Sequence, residues 1–279
     1  HADVLIIGGG MAGILCAYML KETGVDCVLA EAKEICGGVT RNTTAKITLQ
    51  HGLLYDKIIS RYSKENAQQY YNAQKKACEE YSLLCKSIDC DYEIKDSYVY
   101  SLDDRKKIED EVRALELLGE KAEFQDSLEL PLKIAGAVKV KGQAQFNPLK
   151  FAFSIAENLP VYENTKVLEL LPGKAVTDRG EIICRNTVIA THFPILNKHG
   201  GYSFKMYQHR SYVIALEGAP SVNGMYVDEA EEGLSFRNYK QLLLIGGGDH
   251  RTGKNGGGWK VPEAFAELNY PDCNIKYRW

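Results

Sequence analysis

Gly8, Gly10 and Gly13, followed by Glu31 after an apolar run, have the types and spacing that suit a diphosphate and the ribose beside it. Gly8 permits a tight turn out of a buried strand, Gly10 lets backbone approach a pyrophosphate, and Gly13 lets the next helix sit close to the sheet. The helix that opens at Met11 and Ala12 turns unpaired N–H groups and a positive dipole end toward the phosphates. Glu31 stands where a ribose diol needs an acceptor. The pattern is that of a dinucleotide site; a βαβ unit packed without ligand is the alternative.

A second group of side chains could act on a small anion. A planar guanidinium makes two parallel hydrogen bonds to a carboxylate. Arg210, in Gln208-His209-Arg210-Ser211-Tyr212, and Arg237, in Ser235-Phe236-Arg237-Asn238-Tyr239, each stand among aromatics that could exclude water. Either could equally be a surface or interdomain ion-pair residue. Tyr212, Tyr226 and Tyr239 could hydrogen-bond a substrate, although a tyrosine on a half-buried strand packs more often than it binds. Asp249-His250-Arg251 follows the apolar run 242–245, at the kind of strand end where ligands bind, and a tight turn with a local Asx bond explains the same residues. No HExxH or GxSxG segment occurs and no His/Cys/carboxylate spacing suits zinc, so no metal site is expected.

These residues need a frame. Residues 4–7 suit a parallel strand, 14–20 a covered helix, Gly24 a helix stop and 25–30 a second strand. The polar stretch 32–50 is too long for an ordinary βα connection and is expected to touch the ligand. Residues 63–88 show helical spacing with Ser63 as cap. Residues 92–102 alternate like a pair of strands around Asp96-Ser97, 104–118 form a charged helix stopped by Gly119, and 134–146 form a strand. Asn147-Pro148 supplies an N-cap and a first-turn proline for a helix to about residue 158. Strands are expected at 161–170, 175–178, 181–190, 204–217, 224–227, 234–239 and 242–245, with 253–258 a flexible loop.

Composition narrows the partners. With 279 residues, 45% hydrophobic and 25% charged, the chain is an ordinary globular one, and a net charge of −3 with interspersed signs points to no basic surface for nucleic acid or anionic lipid, so no nucleic-acid partner is expected. The eight cysteines form no CxxC pair, and Cys36, beside Gly37-Gly38, reads as a packing thiol because no basic motif lowers its pKa, with a redox-active or cofactor-attaching thiol as the alternative. A reducing cytoplasm is therefore expected. No run approaches the roughly 18 apolar residues that span a membrane, and with the first strand starting near residue 3 no leader is expected. His1 in place of an initiator methionine suggests processing or a boundary set by the experimenter.

Several segments occur in an order seen together elsewhere: Gly8-Gly9-Gly10-Met11-Ala12-Gly13 with Glu31, Gly37-Gly38-Val39-Thr40-Arg41-Asn42-Thr43-Thr44-Ala45-Lys46, Gln145-Phe146-Asn147-Pro148, Thr187-Val188-Ile189-Ala190-Thr191-His192 and Gly246-Gly247-Gly248-Asp249-His250-Arg251. Over nearly its whole length the sequence resembles the D-amino-acid oxidase/glycine oxidase family of FAD-dependent oxidoreductases. It is most similar to a bacterial branch with a TTAKxTxQHG segment, here residues 43–52, and a MYQHRSY strand, here 206–212. The resemblance implies FAD as cofactor, with Gly8, Gly10, Met11, Ala12 and Gly13 at the diphosphate and Glu31 and Ala32 at the adenosine ribose. It implies that Gly38, Arg41, Thr43, Thr44, Ala45 and Lys46 pass close to the flavin, that backbone around Val167 addresses adenine, and that Ala190 and Thr191 match a second flavin fingerprint. His192 replaces the glycine of that fingerprint.

The family normally continues to a DGxPxIG-like segment, and many members of this branch end in a Rieske domain with Cys-x-His and Cys-x-x-His ligands. Neither occurs here, so a fragment of a longer chain without an iron-sulfur cluster is expected. The implied fold is α/β, a Rossmann-like FAD-binding domain (1–90, 145–200 and 241–252) interleaved with an α+β substrate domain on a mostly antiparallel sheet (91–144, 201–240 and 253–279). The implied activity is oxidation of a small amine or amino acid by hydride transfer to flavin N5. Lys46, His51 and Arg251 are candidates for the cation that stabilises reduced flavin, against a solvated loop lysine, a helix-entry histidine and a turn residue. Arg210 and Arg237 are candidates for the substrate carboxylate. An NAD(P)-dependent reductase and a flavin-binding module without turnover are the alternatives, and homo-oligomerisation stays open.

Overall fold

A computed structural model describes residues 1–195 and 201–279. β1 (Ala2–Ile7) ends in the glycine bend, α1 (Met11–Glu22) follows, and β2 (Cys27–Ala30) puts Glu31 directly after its last residue. Gly24 stops α1 at a φ of +76°, with Val25 N–H bonding back to Leu20 O. The stretch 32–50 holds two short elements that its polarity concealed, α2 (Val39–Asn42) and β3 (Lys46–Ile47). α3 (Tyr55–Arg61) and the long α4 (Lys64–Ser87) follow, and Ser63 Oγ accepts from Asn66 N–H at 3.2 Å as a cap should.

β4 (Glu93–Ser101) is one strand, not the expected pair. Its break in alternation meets a bulge in its partner, where Gly142 takes a φ of +68° and the pairing jumps from Lys95↔Gln143 to Ser97↔Val140. α5 (Arg105–Leu117) starts at Asp104, whose carboxylate accepts from Lys107 N–H at 3.0 Å. Next come β5 (Ala122–Gln125), β6 (Gly136–Gln145) and α6 (Pro148–Ala156), the last capped by Asn147 with proline in its first turn. β7 (Val161–Tyr162), β8 (Val167–Leu171), β9 (Lys174–Thr177) and β10 (Gly180–Ile189) follow.

The long strand expected from residue 204 is replaced at its start by α7 (Tyr202–Lys205), so β11 is His209–Glu217. β12 (Gly224–Asp228) and β13 (Ser235–Tyr239) lead to β14 (Leu242–Arg251), which outruns the expected strand and carries Asp249-His250-Arg251 inside it. Pairing with β11 from Glu217↔Leu242 to His209↔Arg251 is the reason. α8 (Lys260–Asn269) and β15 (Asn274–Arg278) were not foreseen.

The chain divides into two compact units. The first, His1–Thr43, Ile88–Asp91 and Asn147–Tyr207, holds a six-stranded sheet ordered β7-β2-β1-β10-β9-β8, parallel from β7 to β10. Leu5, Ile7, Ala30, Ala175 and Cys184 form a buried cluster on it. The second, Thr44–Ser87, Tyr92–Phe146 and Gln208–Trp279, holds a nine-stranded sheet ordered β15-β11-β14-β13-β12-β4-β6-β3, with β5 also on β6. Only the β12–β4 pairing in it is parallel.

Compactness draws the division elsewhere than the sequence-based boundaries. Residues 44–87 belong with the second unit because Tyr55, Ala67 and Tyr71 of α3 and α4 pack against Val99, Ile108, Leu115 and Val138. Residues 241–252 belong there because β14 lies between β11 and β13, while 201–207 fall in the first unit. Among the described residues no helix is long and apolar enough to cross a membrane.

Candidate functional site

In the first unit, β1 and β10 run side by side to Ile7↔Ile189, so Gly8 and Ala190 leave the sheet together. Gly8 has a φ of +109°, and a Cβ there would lie 2.6 Å from Ala190 O. A Cβ on Gly13 would lie 1.9 Å from Gly8 O, so α1 can start against the bend only because Gly13 has none. Gly10 differs: the nearest atom to its Cβ position is Thr40 Oγ1 at 3.4 Å, which leaves room beside the bend. Gly10 caps α1 without a side chain and the first helical bond runs from Ile14 N–H to Gly10 O. Met11 N–H donates to Thr40 Oγ1 at 3.0 Å, leaving the Ala12 and Gly13 amides at the helix mouth.

Glu31 accepts from Gly9 N–H at 2.7 Å through one carboxylate oxygen and from Lys33 N–H at 2.9 Å through the other. A carboxylate has about four acceptor sites, so two are left for ribose hydroxyls. The segment beyond it, with exposed Ala32, is clipped at both ends: Cys36 N–H donates to Gly9 O at 2.8 Å and Thr165 N–H to Glu31 O at 2.8 Å. Val167 opens β8 two residues after Thr165 and so lies beside the Glu31 turn. Gly38 precedes α2, exposed Arg41 lies in that helix, Thr43 ends it, and Thr191 follows Ala190. Cys36 is buried at a φ of 60°, and burial first, with Glu31 and Glu163 next, pushes its thiol up to about 11, so it is inert at neutral pH.

In the second unit, Lys46 of β3 pairs with Gln145 of β6, and Gln145 pairs on its other side with Glu93 of β4. Directly opposed residues share a face, so a cation, an amide and an acid stand in a row. Gln145 Nε2 donates to Glu93 Oε2 at 3.0 Å and to Asn238 O at 2.8 Å, while its own buried Oε1 has no donor. Arg237, beside Asn238 on β13, is 4% exposed; its guanidinium lies 5.8 Å from the Tyr239 ring centre and its Nε meets no acceptor. Burial lowers the Arg237 pKa to about 10, with Glu93 and Tyr239 acting the other way.

Lys46 Nζ donates to Thr44 Oγ1 at 3.1 Å. Lys46 keeps some exposure along its length, yet desolvation first and the charge of Arg237 second bring its pKa down to about 7. The strand that carries it is pinned by side chains: Thr48 Oγ1 donates to Ser97 Oγ at 3.1 Å, Ser97 Oγ to Gln50 Oε1 at 2.8 Å, and Leu49 N–H to Gln143 Oε1 at 2.8 Å. Ala45, just before it, is buried at a φ of 47°. Arg210 and Arg251 sit at the exposed end of the β11–β14 pair, and neither figures among the charges that shift Lys46 or Arg237. His51 is exposed in the bend before α3.

Residues 3–274 match the family model described as DAO, FAD-dependent oxidoreductase. The chain belongs to this FAD-dependent oxidoreductase family. YhfW of Bacillus subtilis strain 168, whose name describes a Rieske 2Fe-2S iron-sulfur protein, is 33% identical over 274 residues, covering 91% of this chain and 53% of YhfW. The chain thus spans about half the length of that curated relative. In fold it is similar to L-proline dehydrogenase from P. horikoshii (TM-score 0.79, 15% identity, 100% of this chain and 80% of that one). Glycine oxidase from Bacillus cereus ATCC 14579 shares the fold as well (TM-score 0.72, 18% identity, 100% and 82%).

FAD is the cofactor of the family, which decides for flavin against nicotinamide. The cradle fits it. The bend and α1 can meet so closely only through glycine, open space lies at Gly10, and Glu31 keeps acceptor capacity. Three residues with a part in these arrangements escaped the sequence: Thr40, which holds the Met11 amide, and Gln145 and Glu93, which stand in a row beside Lys46. Gln145 belongs to a segment in the family order, but nothing in a linear sequence places it opposite Lys46. His192, where the family fingerprint has glycine, holds a φ of 63°. His192→Gly is therefore expected to raise stability by about 0.5–1 kcal/mol, the left-handed strain removed less the entropy glycine adds to the unfolded chain, readable as a shift in the urea midpoint.

Proposed function

We propose that the chain carries the flavin- and substrate-binding part of an oxidoreductase acting on a small amine or amino acid in the cytoplasm, in keeping with its eight free cysteines. Bound FAD supplies the hydride acceptor, flavin N5, for an amine C–H, and water hydrolyses the imine product. The first unit holds the adenosine diphosphate: Gly8, Gly10, Met11, Ala12 and Gly13 at the phosphates, Glu31 and Ala32 at the ribose, Val167 at adenine and Ala190 and Thr191 beside the bend. Gly38, Arg41, Thr43, Thr44, Ala45 and Lys46 are assigned to the flavin ring on their match to the family's segment, with Lys46 as the cation that would stabilise its reduced form. The second unit receives the substrate.

One observation carries the substrate assignment: the Arg237 guanidinium is buried and its Nε lacks an acceptor. An unpaired buried donor costs about 1–3 kcal/mol, and a substrate carboxylate removes that cost. Arg210, exposed at the end of β11, has no such need. Heat release from the purified protein is expected to yield FAD by mass spectrometry. Anaerobic mixing with a panel of amino acids and N-methyl amines is expected to bleach the visible flavin band with at least one; retention of FAD without bleaching across the panel sinks the enzymatic assignment in favour of a module without turnover. With a reacting amino acid in hand, Arg237→Leu is expected to raise KM about 10- to 100-fold, the worth of charge-assisted hydrogen bonds. An amine without a carboxylate should be affected far less.

A further inference from the structure

The face that carries Lys46 and Arg237 has an imbalance. Cations outnumber acids on it: Glu93 is the only carboxylate among the groups that shift Arg237, none shifts Lys46, and Glu93 already accepts from Gln145 Nε2 and pairs with Lys95 at 3.7 Å. Arg237 keeps an orphan Nε and Lys46 Nζ has a neutral hydroxyl, Thr44 Oγ1, as its hydrogen-bond acceptor. The Arg237 charge lowers the Lys46 pKa, second to burial, and the other titratable groups these contacts bring to the face are Tyr239, on the strand of Arg237, Lys95, on the Glu93 carboxylate, and Lys240, 5.4 Å from the Tyr239 ring centre. The Arg237 guanidinium cannot shed its proton near neutral pH, whereas an amine can, so the cost of burial first and of the like charge second is relieved by loss of the proton from Lys46.

We propose that this face binds a carboxylate together with a proton: the anion docks on Arg237, and a proton taken from solvent settles on Lys46 Nζ, so that the site accepts a neutral sum of charge. The proposal rests on the Arg237 assignment above. An anion docked on Arg237 offsets the guanidinium charge, the second of the two causes that hold the Lys46 pKa down, and its own charge favours the ammonium against the first, burial. Without ligand, burial and the Arg237 charge bring the Lys46 pKa down to about 7. Linkage then fixes the sign: above that pH each binding event takes up a proton, and affinity falls about tenfold per pH unit as pH rises, until the ammonium of the complex itself titrates.

The test is calorimetry of the FAD-loaded protein with benzoate, which has no titrating group between pH 7 and 9, in buffers of different ionisation enthalpy at pH 8. Wild type is expected to take up on the order of one proton per benzoate bound. Lys46→Met is expected to bind with no uptake and a flat pH dependence. Lys46→Arg, whose charge does not titrate, should also bind without uptake, and serves if the methionine variant does not fold. Benzoate binding by wild type with no net proton overturns the coupling, and uptake that survives both variants overturns Lys46 as its seat. Unaltered binding by Arg237→Leu, or no binding by wild type, overturns the anion site itself and with it the Arg237 assignment.

Discussion

Gly13→Ala is expected to abolish folding of the first unit, whereas Gly10→Val is expected to leave the fold standing and empty it of FAD. A methyl group on Gly13 falls 1.9 Å from Gly8 O, a backbone atom that cannot swing aside, because Gly8 itself is held by its N–H to Ala30 O at 2.9 Å and by Ala190 O close to its own Cβ direction. Relief requires α1 to move off the sheet, exposing Ile14 and Ala17, which are fully buried. Overpacking of this kind lies at the extreme of single substitutions, about 4 kcal/mol or more. Gly10 has φ −82° and ψ −178°, extended backbone open to any residue, and its Cβ position is clear to 3.4 Å. Valine there fits the protein and fills the space proposed for the diphosphate. Denaturant unfolding of the flavin-stripped proteins should show Gly10→Val close to wild type and Gly13→Ala with no cooperative transition in the first unit. Full flavin content in Gly10→Val would refute the assignment of the bend.

The contrast shows why the bend was legible in the sequence and much of the second unit was not. Gly8 and Gly13 are fixed by backbone packing within a few residues, so the motif carries its own explanation. The three glycines of β14 obey the same physics at long range: Cβ atoms on Gly246, Gly247 and Gly248 would meet Ser235 Oγ at 2.7 Å, Leu234 Cδ2 at 2.5 Å and Gly258 O at 2.0 Å. In the sequence these partners are invisible, and the run imitates a turn. α8 was concealed by Pro262, which reads as a breaker but lies in the first turn, where no helical N–H is lost. The row of Lys46, Gln145 and Glu93 depends on the register of three strands and on the Gly142 bulge, information held in pairing rather than in spacing. Lys46 and Arg237 were legible singly, as residues worth watching. Their mutual repulsion was not.

α3 makes the same point energetically, because it has no capping residue of its own: Leu54 stands at its N-cap with an apolar side chain. The cap comes from Glu111 of α5, whose carboxylate accepts from Leu54 N–H, Tyr55 N–H and Asp56 N–H, each at 2.9 Å, with the residue 0% exposed. Glu111→Leu should therefore cost about 3 kcal/mol, since it strands three helix-start amides, and Glu111→Gln less, about 1–2 kcal/mol, since one amide oxygen still accepts. Burial holds the Glu111 carboxyl above its ordinary range although the three amides pull it down. In the window between the unfolded value near 4.5 and the raised folded value, the folded chain holds more of the proton, so the contribution of Glu111 to stability falls as pH rises through it. Urea midpoints taken from pH 4.5 upward should show that slope in wild type and its loss in Glu111→Gln. A glutamine variant as stable as wild type, with the same slope, would mean that α3 starts without help from α5. The short segment after β3, which carries His51, leads from Lys46 to α3, so a loosened α3 should also blunt the proton uptake assigned to Lys46.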